Sequence, residues 1–225
     1  ASPGAVATLW LGGLQPHGRP FTVSPQIWGP PRGHCCGGTL IHPGFLLAAA
    51  HCLQSGPVSM VLGAHDLHAT EPTHRQFSAA RLSCDPEKHL REVLLKLHFP
   101  AVLNAQVAAA ALLRRGQPLP HGTQCLAMVW GHLGTCLPAW VLQKLSVTGV
   151  TLLWRPHDAH ATTPRWGAAI CLGDSGAPLI CDGTLAVDSF VIQGCATCQY
   201  PDFSAQISPH MDCICSALSR VGEDP

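Results

Sequence analysis

Apolar residues along this chain fall into short β-like runs, and turn residues separate one run from the next. The ten runs lie at 38–41, 45–49, 59–62, 76–82, 93–97, 124–130, 141–150, 178–181, 189–192 and 203–207. Clusters of Pro, Gly and Asp lie between them, at 30–33, 43–44, 120–122 and 181–183. Many short strands with such turns predict an all-β sandwich or barrel architecture.

Two other segments carry a different pattern. The Ala-rich stretch 107–115 has the composition of a helix, but it is short, and Gly116 and Pro118 follow it. We therefore interpret it as a connector between two strand-rich halves. The stretch 209–221 starts with a proline and holds no glycine, which predicts a terminal helix.

Composition places the chain among proteins with a sizeable core. Of its 225 residues, 47% are hydrophobic and 12% are charged, and 13 Lys and Arg balance 13 Asp and Glu. This balance does not indicate a nucleic-acid partner. The 14 histidines would make the chain cationic near pH ~5, and we interpret them as a surface property without a selected role. No run reaches the ~18 apolar residues of a membrane span.

Twelve cysteines, an even number, indicate disulfides and an oxidising compartment. Zinc is the alternative. The close pairs are Cys35–Cys36, Cys195–Cys198 and Cys213–Cys215. None of them stands with histidines in a zinc-finger spacing, so we expect neither a metal nor another cofactor. The small, apolar residues 1–9 are interpreted as a remnant of a secretory signal or pro-segment, or as an extension.

Two motifs carry the chemistry. His51 follows an apolar run in the sequence Ala-Ala-His-Cys, and Ser175 stands in the sequence Gly-Asp-Ser-Gly. A serine hydroxyl is a poor nucleophile until a base takes its proton, and His51 is the candidate base. Gly173 and Gly176 allow the backbone to turn, so that N–H groups near Gly173 and Ser175 can point at a developing oxyanion. The order His before Ser occurs in known catalytic triads.

Four stretches, 36–43, 61–65, 120–128 and 173–181, resemble the chymotrypsin-like serine proteases, and in particular their neutrophil granule branch. The resemblance covers residues 10–221 and implies an all-β fold of two antiparallel six-stranded barrels, with the active site between them. The first barrel would span about 20–107, the second about 120–208, and a C-terminal helix about 209–221.

The resemblance also implies roles for single residues. His51 matches the general base and Ser175 the nucleophile, and the third, acidic position falls on Glu92. If the alignment gap is placed earlier, Arg91 takes that position instead. The family has Asp at this position, and Glu is one methylene longer. The extra methylene misplaces the carboxylate, and a positional error of ~1 Å can lower a rate about a hundredfold. Arg could not orient the imidazole at all, so we favour Glu92 over Arg91.

Three disulfides are implied by the same resemblance: Cys36–Cys52, Cys125–Cys181 and Cys171–Cys195. The family's fourth bridge is absent, because its two positions hold Trp154 and His160. Six cysteines are left over: Cys35, Cys84, Cys136, Cys198, Cys213 and Cys215.

The substrate pocket implied by the resemblance is lined by Ala169, Ile170 and Val191, with Asp202 beneath it. Ser189 and Val191 would hydrogen-bond an extended peptide as an added strand. No acid stands at Ala169, where a trypsin-type pocket has its base. We therefore expect cleavage after small aliphatic residues.

The chain departs from the family pattern around activation. The expected mature terminus would be Trp10, and residues 1–9 hold no Lys, Arg or Glu to direct a processing protease. In the family the new ammonium pairs with the acid before the nucleophile, which is Asp174. We expect Asp174 to lack that ammonium, to turn toward solvent or another donor, and to leave the chain weakly reactive. Ala177 also replaces an expected glycine.

Two functions follow. The first is a secreted serine endopeptidase, stored in granules, that acts as a monomer on polypeptide substrates and is open to serpin-type inhibitors. The alternative is a catalytically impaired family member that works as a binding or antimicrobial protein. Retained His51 and Ser175 favour the enzyme, whereas Glu92 and the altered terminus favour the alternative.

Overall fold

In a computed structural model of the chain, the structure describes residues 12–13, 15–27, 33–53, 58–82, 92–114, 119–131, 139–151, 159–164, 173–190 and 202–220. The strands are β1 (Gly12–Gly13), β2 (Thr22–Ile27), β3 (Gly33–His34), β4 (Gly38–His42), β5 (Phe45–Ala49), β6 (Val58–Leu62), β7 (Arg75–Leu82), β8 (Glu92–Leu97), β9 (Gln124–Val129), β10 (Gln143–Thr151), β11 (Ala159–Pro164), β12 (Pro178–Cys181), β13 (Thr184–Phe190) and β14 (Asp202–Gln206). Helix α1 spans Met211–Ser219, and 3-10 helices lie at Ala50–Leu53 and Ser208–His210.

Six strands of the first half form a closed antiparallel barrel in the order β2-β4-β5-β8-β7-β6, which the pairing of β2 with β6 closes. Strand β3 extends this sheet beside β2. Closure leaves these six strands without a free edge. Apolar side chains fill the interior, namely Val23, Leu40, Leu46, Met60, Leu62, Leu95 and Leu97.

The second half repeats this architecture in the order β10-β11-β14-β13-β12-β9, closed by pairing of β10 with β9. The short strand β1 adds to the open side of β10, with Gly12 opposite Lys144 and Gly13 opposite Gln143. The core of this barrel includes Leu119, Ala127, Leu145, Val147 and Leu179. Two six-stranded antiparallel barrels were predicted, and the structure confirms them.

The connector predicted at 107–115 holds no helix among its described residues, 107–114. This connector is hydrogen-bonded to both barrels. The N–H of Ala110 donates to the carbonyl of Leu40 at 2.8 Å, and the N–H of Leu113 donates to the carbonyl of Leu185 at 3.1 Å. Leu185 is fully buried, so the connector passes from one barrel to the other over a packed core.

The predicted terminal helix is confirmed, although its regular part is shorter than 209–221. A 3-10 turn takes up Ser208–His210, and α1 follows over Met211–Ser219. Met211 and Ile214 are buried in the cluster that also contains Leu185 and Phe45, so the helix covers the seam between the barrels. No helix among the described residues is long and apolar enough to cross a bilayer.

Strand β2 was not predicted from the sequence. Proline within a run argues against a strand because it cannot donate a ladder hydrogen bond, and Pro25 lies in the middle of Thr22–Ile27. Here Pro25 lies opposite Met60, and its carbonyl accepts from the N–H of Cys35 at 3.1 Å. Because proline has no backbone N–H, Pro25 removes one hydrogen-bond donor from the barrel, while its carbonyl still accepts. Strand β11 was also missed, and β13 starts at Thr184 rather than at 189.

Candidate active site

His51 lies in the 3-10 helix that follows directly on strand β5. Every residue of β5 is buried, so the strand is fixed in the core of the first barrel. The Cys36–Cys52 disulfide, with Cα atoms 6.1 Å apart, ties the 3-10 helix to the residues before β4. His51 is exposed, whereas Cys52 is 5% exposed. Strand and disulfide together hold a solvent-facing imidazole in place.

Ser175 lies in a tight turn between Gly173 and Gly176, whose φ angles are +95° and +83°. Glycine adopts this left-handed backbone readily, whereas other residues are strained there. The N–H of Ala177 donates to the carbonyl of Asp174 at 2.9 Å and closes the turn. Asp174 and Ser175 are only 2% and 9% exposed. The two glycines therefore set the backbone path on either side of the serine.

The Ser175 turn belongs to the second barrel but is seated on the first. The N–H of Gly37 donates to the carbonyl of Ser175 at 2.9 Å. The Sγ atom of Cys52 lies 3.7 Å from the same carbonyl oxygen. A Cβ atom added to Gly176 would lie 2.6 Å from the backbone nitrogen of Ala49. These contacts place the serine turn against the segment that carries His51.

Ligand atoms of Cys36, His51 and Cys52 lie within 4.8 Å of one another. Metal ions bind cysteine as the thiolate. Both sulfur atoms are held in the disulfide, so this trio does not form a metal site while the bridge is intact.

Glu92 starts strand β8 and lies opposite Ala49 in the ladder between β5 and β8. Ala49 precedes His51 by two residues. The backbone of Glu92 is therefore brought beside the His51 segment, as its proposed role requires. Arg91, the alternative at this position, lies outside the described residues.

His34 is a residue that the sequence motifs did not single out. Its Nε2 atom lies 2.8 Å from the carbonyl oxygen of Gly173, and its Nδ1 atom lies 2.8 Å from Oγ of Ser24. A carbonyl oxygen only accepts, so Nε2 donates to Gly173, and in the neutral ring Nδ1 accepts from the Ser24 hydroxyl. The ring also packs edge-on to Trp130, with centroids 5.7 Å apart. His34 thus ties the first barrel to the turn that carries Ser175.

The side chain of Asp174 is turned inward and is 2% exposed. Of the two expected outcomes, solvent or another donor, the structure shows another donor, because the carboxylate accepts from the backbone N–H of Gly131 at 2.6 Å. A Cβ atom added to Gly131 would overlap this carboxylate. The close approach explains the burial, because only a residue without a side chain leaves room for it. Trp10, the other half of that expectation, lies outside the described residues.

Although the His51 residue as a whole is exposed, the neighbouring residues partly desolvate its imidazole, and this lowers the pKa of His51 from its ordinary value of 6.5. The neutral imidazole, which is the form that accepts a proton, therefore persists to lower pH. The unfolded chain binds this proton more readily than the folded chain does. The free energy of unfolding therefore rises with pH between the lowered pKa and the ordinary value.

The predicted substrate-binding residues are described only in part. Ser189 lies on β13 opposite Ser204 of β14. Asp202 starts β14 and lies opposite Thr162 of β11. The remaining pocket residues, Ala169, Ile170 and Val191, and the predicted disulfide Cys171–Cys195 lie outside the described residues.

Two disulfides have both of their cysteines among the described residues. Besides Cys36–Cys52, a bridge joins Cys125 to Cys181, whose Cα atoms are 4.3 Å apart on the paired strands β9 and β12. Cys213 is also disulfide-bonded, so counting it as left over was wrong. The family pattern gave no partner for a cysteine in α1, which is why sequence matching missed this bond. Cys35 and Cys215 are free thiols.

The two free thiols should differ in reactivity. Burial raises the pKa of Cys35 to about 11, although a backbone hydrogen bond opposes the shift, and its Sγ–H donates to the carbonyl of Pro25 at 3.2 Å. At pH ~8 about one Cys35 in a thousand is then a thiolate. Peptide mapping after N-ethylmaleimide treatment should show the exposed Cys215 alkylated at least ~10-fold faster. Equal rates in the folded chain would contradict the burial of Cys35, and urea should abolish the difference.

Two closed barrels, with the His51 segment and the Gly-Asp-Ser-Gly turn meeting between them, are the architecture of the two-barrel serine protease class. The chain belongs to the trypsin family, because the family model described as Trypsin matches residues 13–214. Members of this family act on polypeptides.

Curated relatives cover nearly the whole chain. It is 42% identical to neutrophil elastase of mouse over 95% of its length and 84% of the relative's. It is 33% identical to human azurocidin, over 94% of this chain and 86% of the relative. Among solved structures, human heparin binding protein superposes with a TM-score of 0.80 at 30% identity, over 93% of this chain and 96% of that one.

Proposed function

We propose that the chain is a serine endopeptidase in which Ser175 is the nucleophile and His51 the general base. The observation that supports this proposal is the seating of the Ser175 turn on the first barrel, through the hydrogen bond from the Gly37 N–H to the Ser175 carbonyl. Gly37 follows Cys36, whose disulfide to Cys52 ties it to the 3-10 helix that carries His51. A triad acts only when nucleophile and base lie together, and these two links hold the serine turn near the His51 helix.

In the proposed reaction, Ser175 Oγ attacks the carbonyl carbon of the scissile peptide bond while His51 takes the hydroxyl proton. The backbone N–H groups of Gly173 and Ser175 stabilise the oxyanion of the tetrahedral intermediate. His51 then gives its proton to the leaving amine, and the C–N bond breaks. Water, deprotonated by the same imidazole, releases the acyl group and restores the serine. Glu92 is the residue proposed to orient the imidazole.

His34 and Asp174 are proposed as positioning residues. His34 holds the carbonyl of Gly173 at 2.8 Å, so the peptide that follows this carbonyl is fixed in direction. The next residue of the turn, Asp174, is held by the hydrogen bond that its carboxylate accepts from Gly131. An oxyanion site works by preorganised donors, and these two contacts preorganise the part of the turn that precedes Ser175.

The proposed substrates are polypeptides with a small aliphatic residue before the cleaved bond. Ala169, Ile170 and Val191 would line the pocket above Asp202, and Ser189 would hydrogen-bond the peptide backbone. The resemblance to the neutrophil granule branch of the family and the 42% identity to mouse neutrophil elastase support this choice. Secretion, granule storage, monomeric action and inhibition by serpin-type proteins are proposed from the same relatives.

A second function, a catalytically impaired binding protein, is favoured by one observation. The position proposed for the orienting acid holds Glu92 at the start of β8, and glutamate is one methylene longer than the aspartate that the family has there. Azurocidin and heparin binding protein are relatives whose names suggest such roles. The balance of 13 basic and 13 acidic residues does not favour a polyanion partner at neutral pH.

Labelling with a fluorophosphonate probe separates the two functions. The enzyme should be labelled on Ser175, at the low rate expected for the altered activation terminus, and Ser175→Ala should abolish labelling. An unlabelled but folded chain that is retained on a heparin column would support the binding protein and sink the enzyme. Profiling of a labelled chain on a peptide library then tests the pocket, and a preference for Lys or Arg would contradict it.

The labelling rate should also depend on pH in a stated direction. Because desolvation lowers the pKa of His51, the acid limb of the rate profile should have its midpoint below the ordinary imidazole value of about 6.5. Quenched time courses of labelling at a series of acidic pH values measure this midpoint. A midpoint above neutrality would mean that a facing carboxylate, rather than desolvation, sets the protonation of His51.

A further inference from the structure

The connection between β6 and β7 belongs to the first barrel but is hydrogen-bonded to the segment that leads into β10 of the second. The N–H of Leu142 donates to the carbonyl of His65 at 2.9 Å, and the N–H of Leu67 donates to the carbonyl of Trp140 at 2.8 Å. Between these two bonds the backbones form an isolated antiparallel β-bridge. We name residues 64–74 the bridging loop, because it pairs with the second barrel as a short strand would.

The carbonyl of His65 in the bridging loop also holds a buried tryptophan of the second barrel. The indole Nε1–H of Trp130 donates to this carbonyl at 3.1 Å, and Trp130 is 1% exposed. A buried indole N–H needs an acceptor, and here the acceptor comes from the other barrel. The same buried cluster contains Val61, Ala64, Met128 and Leu142. The position of the His65 carbonyl therefore sets the position of Trp130.

Trp130 leads directly to the turn that carries the nucleophile. The next residue, Gly131, donates its N–H to the carboxylate of Asp174 at 2.6 Å, and Asp174 precedes Ser175. The carbonyl of Gly131 accepts from the N–H of Ala139 at 3.0 Å. A shift of Trp130 is therefore passed to Asp174 through a neighbouring backbone amide that is itself held in place.

The bridging loop is fixed by the carboxylate of Glu71. Oε2 accepts from the N–H of His65 at 2.8 Å and Oε1 from the N–H of Asp66 at 3.3 Å, while Nε2 of His74 donates to Oε2 at 2.9 Å. Desolvation raises the pKa of Glu71, but these donors and the charge of His74 together outweigh it and lower the pKa from its ordinary value of 4.5. The group is therefore ionised at neutral pH, and both of its oxygens accept hydrogen bonds.

One of these bonds acts on the peptide unit that contacts Trp130. The N–H of Asp66 and the carbonyl of His65 belong to the same peptide unit, which is planar and rigid. Glu71 holds the N–H side of this unit, and Trp130 is bound to its carbonyl side. Loss of the carboxylate would leave the unit free to rotate, so that the acceptor of the indole moves.

We propose that Glu71 is a positioning residue for the reaction of Ser175, acting through the contacts that run from the bridging loop to Asp174. The proposal rests on the proposed serine endopeptidase function. The oxyanion donors and the nucleophile share one turn with Asp174, and their rate depends on how well that turn is preorganised. Glu71 acts on this turn from a distance, through the backbone of the bridging loop.

The same loop offers a matched control at Asp66. Its Oδ1 atom accepts from the N–H groups of His68 at 2.8 Å and Ala69 at 3.4 Å, at the exposed tip of the loop. Asp66→Ala removes a carboxylate and two loop hydrogen bonds, as Glu71→Ala does, but these bonds lie away from the peptide unit that holds Trp130. It should therefore leave the serine turn in place.

Kinetics of fluorophosphonate labelling test the proposal, with the maximal rate and the half-saturating probe concentration measured separately. Glu71→Ala should lower the maximal rate about 10-fold and leave the half-saturating concentration unchanged, since it disturbs the turn rather than the binding of the probe. Glu71→Gln keeps one acceptor oxygen, so its maximal rate should recover to about 3-fold below the parent. Asp66→Ala should be labelled at the parent rate.

Amide hydrogen exchange measured by NMR gives a second readout that does not depend on catalysis. In Glu71→Ala the N–H of Gly131 should exchange about 10-fold faster than in the parent chain, because the contacts that hold it are loosened. The amides of β5 in the core of the first barrel should keep their parent rates. Equal acceleration in β5 would show general destabilisation and would overturn the proposal.

The remaining outcomes also decide the matter. A slowed Glu71→Ala, partial recovery in Glu71→Gln and a parent-like Asp66→Ala support the proposal. Parent-like labelling of Glu71→Ala, or an equal loss in Asp66→Ala, overturns it. If Glu71→Ala does not fold, Glu71→Gln carries the comparison, and a parent-like rate and parent-like exchange at Gly131 overturn the proposal.

Failure of the endopeptidase function is recognised separately. A folded parent chain that is not labelled would refute that function. Exchange at Gly131 then decides whether Glu71 holds the serine turn. Faster exchange in Glu71→Ala would support the path of contacts, and unchanged exchange would refute it.

Discussion

Replacing Gly131 with alanine should lower the rate of fluorophosphonate labelling of Ser175 by about 100-fold. The new Cβ atom would overlap the carboxylate of Asp174, so that this side chain has to move. Asp174 directly precedes Ser175, and its carbonyl closes the turn by accepting from Ala177 at 2.9 Å. A displaced carboxylate therefore shifts the oxyanion donors and the nucleophile together. Time courses of labelling at equal protein concentration measure the effect.

The matched control is Gly33→Ala. A Cβ atom added to Gly33 has no neighbour within 4 Å, and its backbone is not left-handed. This variant should be labelled at the parent rate. Parent-like labelling of Gly131→Ala would contradict the idea that Asp174 sets the position of the serine turn.

Gly176→Ala should have the largest effect on stability. The φ angle of Gly176 is +83°, and an L-residue there costs roughly 1–2 kcal/mol. The new Cβ atom would also press on the backbone at Ala49 and Gly37, and overpacking adds about 1–3 kcal/mol. We expect the free energy of unfolding to fall by about 3 kcal/mol, which lowers Tm by roughly 6–12 °C in a chain of this size. Thermal denaturation monitored by circular dichroism measures the shift.

Gly183→Ala separates the two contributions to this loss. Its φ angle is +78°, but a Cβ atom there meets nothing within 4 Å. This variant should therefore show only the backbone strain of roughly 1–2 kcal/mol. Equal destabilisation of the two variants would mean that the seating of the serine turn on the first barrel contributes nothing to stability.

Sequence patterns predicted best the strands in which an uninterrupted apolar run lies next to a turn signal. Phe45–Ala49 and Pro178–Cys181 have the predicted bounds; Pro43 and Gly44 precede the first run, and Asp182 and Gly183 follow the second. Strand β2 has no uninterrupted apolar run. Pro25 argues against a strand, and the pairing with β6 that compensates for it lies across the barrel.

Part of the candidate site could be predicted from the sequence and part could not. His51 and Ser175 stand in short motifs, and the neighbouring residues indicate their chemistry. His34 has no such motif, because its partners Ser24 and Gly173 lie 10 and 139 residues away in sequence. The donor to Asp174 could not be named for a related reason. It is the backbone N–H of Gly131 on another loop, and a sequence does not show where two backbone segments come close.

The pairing of β1 with β10 constrains the order in which the chain folds. Gly12 and Gly13 are made before either barrel, yet their partners Lys144 and Gln143 lie in the second barrel. During synthesis the first barrel can close through the pairing of β2 with β6 before β10, the partner of β1, has been made. Non-local pairings of this kind form slowly, because the entropy of closing a long loop is lost before the pairing adds any stability. The β1 segment is therefore exposed to competing partners for longer than other parts of the chain, and misfolding in the cell is expected to start there.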